Sequence, residues 1–477
     1  MPKVLFVSSE AYPFAKSGGL GEVAAALPKE LVKQGADCRV VLPKYKDIPE
    51  DMLADLQVKK TFETTLAWRK LPADIYELER DGVTYYLLDN YFYFHRDGMY
   101  GYGDDHERFG FFSKAAVEMF GTVGFMPDIV HCNDWQTGLC PVYLRDKLRK
   151  FSYYRGVKSL FTIHNLQYQG VYGRHILGEL ELDDGYFSVG GMEFYGCVSL
   201  LKAGIAYADA VSTVSETYAR EIQTPSYGFS MDGVIRSRSD TLFGIINGID
   251  YEKNDPEKDK HIYVNYDKDT ALENKVKNKI ALQKDLGLPV KPDTPMFSIV
   301  SRLTDQKGFD LFPIVMDEFM YKDVQLVVLG QGEGRYEQMF NHCGWKYPDK
   351  SRIHIGFDDG LAQRIYAASD FFLMPSLFEP CGLGQMTAMR YGALPIVRKT
   401  GGLADTVKHF NPDDGTGNGF SFENYDAAGL MWGINEALGC YAHKDRLEKA
   451  IKNAMESNYS WKKSAQEYIK MYKKMLE

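Results

Sequence analysis

The sequence predicts an α/β protein that contains two doubly wound domains. Three observations lead to this prediction. The chain has 477 residues, which is too long for one ordinary hydrophobic core. Short apolar runs alternate with Gly- or Pro-containing turns and helical patterns, as is typical of parallel α/β units. Near residue 296 this alternation begins again, after a charged and irregular stretch.

The composition is that of a globular protein, with 45% hydrophobic and 25% charged residues. The net charge of −9 and the lack of a long basic run argue against nucleic acid or an anionic membrane as the main partner. The seven cysteines are scattered without a C-x-x-C pair, so neither a disulfide framework nor a zinc site is expected. With no leader peptide and no apolar run long enough to span a bilayer, we expect a soluble, cytoplasmic protein.

The first predicted strand, 3–9, is followed by a Gly-rich turn and a helical pattern that ends near Gly35. This turn contains Lys16, Gly18 and Gly19, at the position where βαβ units usually bind phosphate. It matches neither the dinucleotide fingerprint nor a Walker A loop. The pattern is equally compatible with a tight turn that carries a solvated lysine.

Polar residues follow the next predicted strands of the first half. Asp134 follows the strand at 128–133, and His164 and Asn165 follow the strand that begins at Leu160. Because carboxyl ends of parallel strands meet at one edge of a sheet, these side chains predict a site there.

Two further stretches of the first half carry predictions. A strand from residue 242 leads to Asn247 and closes this half near residue 248. An aromatic, Gly- and Asp-rich loop is expected over 91–110. Its Asp104-Asp105 pair is expected to be solvated, because further spaced carboxylates for a metal are missing.

The second half begins with a strand at 296–300 and a turn that contains Arg302 and Lys307. Two cations beside helix-start N–H groups predict an anion site. Further along the chain, Lys399-Thr-Gly-Gly-Leu repeats the pattern of Lys16-Ser-Gly-Gly-Leu. We interpret the two loops as equivalent positions of two Rossmann-like domains.

A predicted strand at 370–374 leads into a loop that carries one acid, Glu379, between Phe378 and Pro380. A helical pattern at 386–391 follows. From the loop alone, Glu379 is either a helix-capping carboxylate or a functional one. Two domains facing across a cleft would place Arg302 and Lys307 opposite Lys16, Asp134 and His164, which suits transfer of a group from a diphosphate. Arg and Lys, rather than a metal ion, would neutralise the leaving phosphate.

Seven motifs in order give the chain a close resemblance to bacterial glycogen synthase and the catalytic core of plant starch synthase. They are Lys16-Ser-Gly-Gly-Leu, Asn133-Asp-Trp-Gln-Thr-Gly-Leu, Phe161-Thr-Ile-His-Asn-Leu, Ile246-Asn-Gly-Ile-Asp, Ser301-Arg-Leu-Thr-Asp-Gln-Lys-Gly, Phe378-Glu-Pro-Cys-Gly-Leu and Lys399-Thr-Gly-Gly-Leu.

The resemblance implies the GT-B fold, with Rossmann-like domains over 1–248 and 249–457. It also implies a C-terminal helix over 458–477 that crosses back to the first domain, which would bury the apolar stripe from Trp461 to Tyr472.

The resemblance implies transfer of glucose from ADP-glucose to O4 at the non-reducing end of an α-1,4-glucan, with retention and without a cofactor or metal. Each site residue then has an expected role. The diphosphate contacts Arg302 and Lys307, and also Lys16 with Gly18 and Gly19. His164, Asn165 and Asn247 bind the glucosyl unit, Asp134 lies near the reacting centre, and Phe357 stacks on adenine. Glu379 and the backbone of Cys381, Gly382 and Leu383 hold the sugar hydroxyls, and Gly384 contributes backbone N–H groups.

The chain departs from the family pattern at five positions. Ser17 and Gly384 stand where Thr is usual, and Phe357 stands where Tyr is frequent. Asn133 and Gln136 replace two histidines that often flank the Asp-Trp pair. None of these changes removes a catalytic group.

Other functions stay open from the residues. A UDP-sugar-dependent GT-B transferase and a non-catalytic glucan-binding scaffold are the main alternatives. A glucan phosphorylase is disfavoured because a pyridoxal lysine is missing, and a nicotinamide dehydrogenase because the fingerprint is missing. A retaining glycosidase would use a carboxylate as nucleophile. We expect Glu379 instead to fix the sugar while attack occurs on the same face. Oligomeric state is not predicted.

Overall fold

The fold was obtained as a computed structural model that describes residues 1–53, 56, 58–145 and 150–477. The chain forms two compact units. Unit 1 comprises Met1–Gly248 and Trp461–Glu477, and unit 2 comprises Ile249–Ser460. The predicted end of a helix at about Leu148 lies outside the described residues.

Unit 1 is built on a nine-stranded sheet, with short helices and a small antiparallel sheet around it. Its strands are β1 (Lys3–Val7), β2 (Asp37–Pro43), β3 (Val58–Leu66), β4 (Arg69–Arg80), β5 (Val83–Asp89), β6 (Ile129–Asn133), β7 (Lys158–Ile163), β8 (Val171–Gly173), β9 (Glu193–Phe194), β10 (Cys197–Ser199), β11 (Ala210–Thr213) and β12 (Leu242–Gly244). Its first ten helices are α1 (Gly19–Lys33), α2 (Glu50–Leu53), α3 (Tyr91–Phe94), α4 (Asp105–Glu118), α5 (Phe120–Val123), α6 (Leu139–Tyr143), α7 (Ile176–Glu179), α8 (Leu200–Tyr207), α9 (Glu216–Glu221) and α10 (Asp232–Arg236).

The order of the large sheet is β12-β11-β7-β6-β1-β2-β5-β4-β3. Pairing is parallel from β12 to β5 and antiparallel at β4 and β3. From β1 the chain adds β2 and β5 on one side, and then returns to add β6, β7, β11 and β12 on the other. The strand order therefore reverses between β1 and β6, which is where doubly wound sheets bind ligands.

The prediction of an aromatic loop over 91–110 is wrong at both ends, because helix α3 begins at Tyr91 and helix α4 begins at Asp105. The Asp104-Asp105 pair is not a pair of solvated loop residues. Asp104 accepts two hydrogen bonds from the Arg96 guanidinium at 2.7 and 2.8 Å. Asp105 is buried in a short ion pair with Arg108. Local ion pairing thus fixes both acids at the start of α4.

Unit 2 has a six-stranded, fully parallel sheet in the order β15-β14-β13-β16-β17-β18. The strands are β13 (Met296–Val300), β14 (Gln325–Gly330), β15 (Ser351–Ile355), β16 (Phe371–Met374), β17 (Leu394–Arg398) and β18 (Phe420–Phe422). The helices are α11 (Ala271–Asp285), α12 (Phe312–Tyr321), α13 (Gly334–Lys346), α14 (Asp359–Ala368), α15 (Gly384–Arg390), α16 (Gly401–Thr406), α17 (Ala427–Tyr441) and α18 (Lys444–Glu456).

The two large sheets have the same winding. In unit 2 the reversal lies between β13 and β16, so β13 corresponds to β1 and β16 to β6. The loop with Lys16 follows β1, whereas the loop with Lys399 follows β17, the counterpart of β7. Our interpretation of these two loops as equivalent positions is therefore wrong. The counterpart of the Lys16 loop is the loop that carries Arg302 and Lys307.

The last helix, α19 (Trp461–Leu476), belongs to unit 1. Its apolar stripe is buried in the core of that unit, including Trp461, Tyr468 and Tyr472. The Tyr472 hydroxyl lies 2.8 Å from Nδ1 of the buried His131 on β6. Residues 458–460, which the prediction assigned to this helix, stay with unit 2.

No helix in the described part of the chain combines the length and apolar character that a membrane span requires.

Candidate active site

The first group of candidate residues lies at the strand-order reversal of unit 1. The loop between β1 and α1 carries Lys16, Gly18 and Gly19, and Asp134 directly follows β6. Lys16 Nζ forms an ion pair with Glu22 Oε1 at 2.6 Å. A Cβ atom added at Gly18 would meet no atom within 4 Å, so this part of the loop has open space beside its backbone.

The Lys16 loop is held by an internal anion, the carboxylate of Glu10. This carboxylate accepts hydrogen bonds from Ser17 N at 2.7 Å, Ser17 Oγ at 2.6 Å and Gly18 N at 3.3 Å. The Tyr100 hydroxyl donates a fourth bond at 2.7 Å. Glu10 was missed by the sequence analysis. The available signal was a carboxylate placed directly after a strand and before a Gly-rich turn.

Asp134 has a backbone conformation that L-residues rarely adopt, with φ +57° and ψ −179°. This region is almost restricted to glycine, and a non-Gly residue there costs roughly 1–3 kcal/mol. The Asp134 Oδ1 atom accepts a hydrogen bond from His164 N at 2.7 Å. The carboxylate thus links the end of β6 to the turn after β7. A strained aspartate at a strand end indicates that its side chain is needed there.

The pKa of the Asp134 carboxyl is raised to about 7. Burial is the main cause, because an enclosed site disfavours the charged form. Backbone N–H groups of His164 and Asn165 lower the pKa, and the negative charge of Glu10 raises it further. Asp134 therefore changes its charge near neutral pH.

His164 is neutral at physiological pH, because burial lowers its pKa to about 3. Its Nε2 atom lies 2.9 Å from Asn133 Oδ1. Asn133 Nδ2 donates to Val7 O at 2.9 Å, which fixes the amide orientation. The His164 proton is therefore assigned to Nε2, and Nδ1 is left as a hydrogen-bond acceptor. Asn133, one of the departures from the family pattern, orients this histidine.

Asn165 and Asn247 complete the group in unit 1. Asn165 follows His164, and its Oδ1 accepts a hydrogen bond from Gln167 N at 3.0 Å. Asn247 is buried three residues after β12, and its Oδ1 has no hydrogen-bond partner among the described residues. A buried amide oxygen without a partner costs free energy, which a ligand hydroxyl would recover.

The second group lies at the reversal of unit 2, and an ion pair dominates it. Lys307 Nζ donates to Glu379 Oε2 at 2.6 Å. The Ser376 hydroxyl lies 3.2 Å from the same oxygen and donates to it. Both members of the pair are largely buried, with 15% and 6% of their side chains exposed. Glu379 is therefore not a helix cap. Its carboxylate is held by Lys307, which follows the strand on the other side of the strand-order reversal. Ser376 was another residue that sequence analysis missed.

Arg302 differs from Lys307 in its surroundings. It is exposed, and its guanidinium makes no hydrogen bond or ion pair with the described part of the chain. Two 3₁₀ turns, Asp305–Lys307 and Phe309–Leu311, connect this loop to α12, so a helical segment begins two residues after Lys307.

Three glycines allow the loops of unit 2 to pack against one another. A Cβ at Gly308 would lie 2.0 Å from Pro375 O, and φ is +75° there. A Cβ at Gly401 would lie 1.9 Å from Glu379 O, and one at Gly402 would lie 2.1 Å from Cys381 O. The Lys399-Thr-Gly-Gly-Leu loop is therefore a support for the Glu379 loop, and its glycines are required by close backbone contact.

The turn after Glu379 leads directly into α15. Cys381 is buried, and Gly382 has φ +72°. Leu383 precedes the helix, and Gly384 is its first residue. A Cβ at Gly384 would lie 3.1 Å from the Phe372 ring, so a larger residue at this position would press on that ring.

Phe357 lies shortly after β15, and 72% of its surface is exposed. An exposed ring at the carboxyl end of a parallel strand is suited to stacking on a base. Across 1–53, 56, 58–145 and 150–477, no three His, Cys, Asp or Glu side chains form a group that could hold a metal ion.

Comparison with known proteins shows the family. A family model described as the starch synthase catalytic domain matches residues 3–237, and one described as glycosyl transferases group 1 matches residues 284–456. The chain belongs to the glycogen synthase and starch synthase family of glycosyltransferases.

Relatives from this family match over the full length. Glycogen synthase from Clostridium perfringens (strain 13 / Type A) is 51% identical, covering 100% of this chain and 98% of that protein. Glycogen synthase from Clostridioides difficile (strain 630) is 50% identical, covering 99% of both.

Among solved structures, the catalytic domain of starch synthase IV from Arabidopsis thaliana, bound to ADP and acarbose, matches with a TM-score of 0.91 and 32% identity. The match covers 100% of this chain and 99% of that one. The GT-B fold and the glycosyltransferase activity implied by the ordered motifs are confirmed.

Proposed function

We propose that the chain transfers glucose from ADP-glucose to O4 at the non-reducing end of an α-1,4-glucan, with retention at the anomeric carbon. The observation that carries this proposal is the buried Lys307–Glu379 ion pair at the strand-order reversal of unit 2. The pair places a cation that can bind a phosphate beside a carboxylate that can bind sugar hydroxyls. The names of the relatives and the ADP bound to the starch synthase IV structure support the donor and the product.

In this proposal Lys307 and Arg302 bind the diphosphate. As the bond between C1 and the phosphate oxygen breaks, negative charge increases on the leaving ADP, and fixed cations favour that state over the bound substrate. Lys16, with Gly18 and Gly19, also contacts the nucleotide phosphates. We propose that these cations make a metal ion or cofactor unnecessary.

Glu379 fixes the sugar rather than attacking it. Lys307 and Ser376 already donate to one of its oxygens, so the carboxylate is oriented before the donor binds. The acceptor O4 attacks C1 on the face that the phosphate leaves. The C1–O4 bond forms, the C1–phosphate bond breaks, and the O4 proton passes to the departing phosphate oxygen. Trapping a covalent glucosyl–Glu379 adduct in a single turnover would contradict this mechanism.

Residues of unit 1 bind the glucosyl unit. Neutral His164 offers Nδ1 as an acceptor for a sugar hydroxyl, and Asn247 offers its unpartnered oxygen. Asn165 adds a further amide. Asp134 holds the turn that carries His164, and its carboxylate lies near the reacting centre. As the family motif implies, the backbone of Cys381, Gly382, Leu383 and Gly384 holds further oxygens of the donor.

Phe357 stacks on the adenine ring in this proposal. Stacking by itself does not distinguish adenine from uracil, because every base has an aromatic face. The choice of ADP-glucose therefore depends on the comparison with the ADP-bound starch synthase.

The test is incorporation of labelled glucose into glycogen from ADP-glucose and from UDP-glucose, measured side by side with wild type, Lys307→Ala and Glu379→Ala. We expect transfer from ADP-glucose that both variants lose. Transfer from UDP-glucose alone would contradict the donor assignment. Glucan binding without transfer from either donor would instead indicate a glucan-binding scaffold.

A further inference from the structure

We propose that Glu10 is a positioning residue of the transferase site, which fixes the Lys16 loop through its carboxylate and acts electrostatically on Asp134. This inference rests on the proposed function of Lys16 and Asp134. Glu10 follows β1 directly after Ser8 and Ser9, and only 4% of its surface is exposed. It is therefore a buried acid at the carboxyl end of the central strand.

The hydrogen bonds of Glu10 account for the shape of the loop. One carboxylate oxygen accepts from the backbone N–H groups of Ser17 and Gly18, and the other accepts from the hydroxyl groups of Ser17 and Tyr100. Hydrogen bonds to an ionised acceptor are roughly twice as strong as neutral ones. Glu10 thus holds the turn just before α1 in one conformation.

This arrangement changes the expected role of the turn. The Ser17 and Gly18 N–H groups, which a phosphate-binding turn would offer to its ligand, are already bound to an internal carboxylate. The ligand-facing part of the loop is then the Lys16 side chain and the open space beside Gly18. Glu10 therefore acts on the donor through the position of Lys16 and not by contact.

Glu10 also acts on Asp134 through space. Glu10 and Asp134 follow the neighbouring strands β1 and β6, which pair in parallel with Val7 opposite Cys132. The negative charge of Glu10 disfavours a second negative charge nearby and adds to the rise in the pKa of Asp134 that burial mainly causes. The remaining contributions to this pKa come from the backbone N–H groups of His164 and Asn165, which do not titrate, and the His164 side chain stays neutral because burial lowers its pKa to about 3.

The side chains that donate to Glu10 do so through hydroxyls. Tyr100 donates to it, and the Tyr100 hydroxyl also lies 2.9 Å from Ser9 Oγ. The buried Tyr45 lies in the field of Glu10 and of the Arg108–Asp105 ion pair. Burial raises the pKa of both tyrosines well above the usual value, so neither ionises near neutral pH.

The first experiment uses Glu10→Gln and the pH dependence of kcat/KM for ADP-glucose. The amide keeps an acceptor for the loop and removes the charge, so the pKa of Asp134 falls. We expect the acidic limb of the profile, which starts near pH 7 in wild type, to move to lower pH. Tyr100→Phe is the matched control, because it removes one hydrogen bond to Glu10 and leaves the charge. Its acidic limb is expected to coincide with that of wild type.

The second experiment uses Glu10→Ala, which leaves the Ser17 and Gly18 N–H groups without their acceptor. We expect KM for ADP-glucose to rise severalfold, because the Lys16 loop loses the carboxylate that holds its backbone. Ser17→Ala removes only the hydroxyl bond and should raise KM less. Thermal unfolding of each variant verifies that it is folded.

The outcomes separate this inference from the proposed function. If wild type transfers glucose and the Glu10→Gln profile coincides with that of wild type, Glu10 has no electrostatic role and the inference is wrong. The loop-fixing role would be wrong if KM for ADP-glucose were unchanged in Ser17→Ala and stayed within twofold of the wild-type value in Glu10→Ala. If wild type transfers glucose from no nucleotide donor, the proposed function fails first.

Discussion

The turn after β1 in unit 1 and the turn after β13 in unit 2 occupy the same place in their sheets, and each carries one candidate lysine. Lys16 pairs with Glu22 in the first turn of the helix that follows its own loop. Lys307 instead pairs with Glu379, which follows the strand on the other side of the reversal. One ion pair is local and half-exposed, and the other connects two loops and is buried.

This difference shows how one topology supports two kinds of site. In unit 1, the loop conformation is fixed by Glu10, and Lys16 lies beside open space. In unit 2, the loops are fixed by close backbone packing at Gly308, Gly401 and Gly402, and the ion pair lies among them. The loops of unit 2 are therefore packed more closely than the Lys16 loop of unit 1, which suits preorganised stabilisation of a leaving group.

The largest predicted effect concerns Lys307. We expect Lys307→Ala to lower kcat about a hundred- to a thousandfold, as deletion of one preorganised charge-stabilising donor does. The substitution also leaves Glu379 buried without its cation. Lys16→Ala should lower kcat by a smaller factor, because its partner Glu22 stays accessible to water when the lysine is removed. Single-turnover transfer rates measure both, and Lys346→Ala, an exposed lysine paired with Asp317, is the control. Equal losses at Lys16 and Lys307 would contradict the comparison.

The second prediction concerns the glycines. Gly401→Ala is expected to reduce the free energy of unfolding by about 2–4 kcal/mol, because its Cβ would overlap Glu379 O and its φ is +45°. The matched variant Gly18→Ala should change stability by less than about 0.5 kcal/mol, since nothing lies near its Cβ. Urea unfolding gives both values. Similar losses in the two variants would show that the loops are equally packed.

The third prediction is a pH dependence from Asp134, the counterpart of the Glu379 position in unit 1. Its pKa of about 7 means that the neutral form dominates at lower pH. Transfer is expected to fall about tenfold per pH unit below pH 7, because the carboxylate is the active form. Initial rates between pH 5 and 9, with saturation by both substrates verified at each pH, provide the measurement.

Stability should change in the opposite direction with pH. The folded state retains the Asp134 proton up to about pH 7, whereas the unfolded chain releases it near pH 4. The stability due to this group is therefore lost as pH rises from about 4 to 7. Asp134→Asn removes this term, so its stability relative to wild type should increase over the same range. A constant difference between the two would exclude the raised pKa.

The smallest prediction tests the departure at Gly384. We expect Gly384→Thr to destabilise unit 2 by about 1 kcal/mol, because the new side chain would press on the Phe372 ring. Phe372→Leu in the same chain should recover part of this loss, which a double-mutant cycle by thermal unfolding would show. If the stability changes of the two substitutions simply add, contact with the Phe372 ring is not the cause of the loss in Gly384→Thr.

Much of the fold could be predicted from the sequence, because strand, turn and helix patterns are local. The runs at Lys3–Val7, Met296–Val300 and Phe371–Met374 are apolar, short and followed by turns, and each is a buried strand. The start of α4 at Asp105 was missed because the acids that begin it resemble a polar loop. Asp105 and Arg108 form an i,i+3 ion pair that becomes recognisable only once the segment is known to be a helix, and the partner of Asp104 is Arg96, eight residues earlier.

By itself, the sequence determined the α/β class, the family and the candidate residues, since motifs and periodicity are properties of neighbouring residues. Only the tertiary structure decided which loops correspond. It showed that Lys399 lies in a loop that supports the Glu379 loop, and that Lys307 forms an ion pair with Glu379. Both contacts depend on strand order and on backbones that approach within about 4 Å. It likewise revealed Glu10, since the partners of a buried carboxylate follow from packing between elements and not from spacing along the chain.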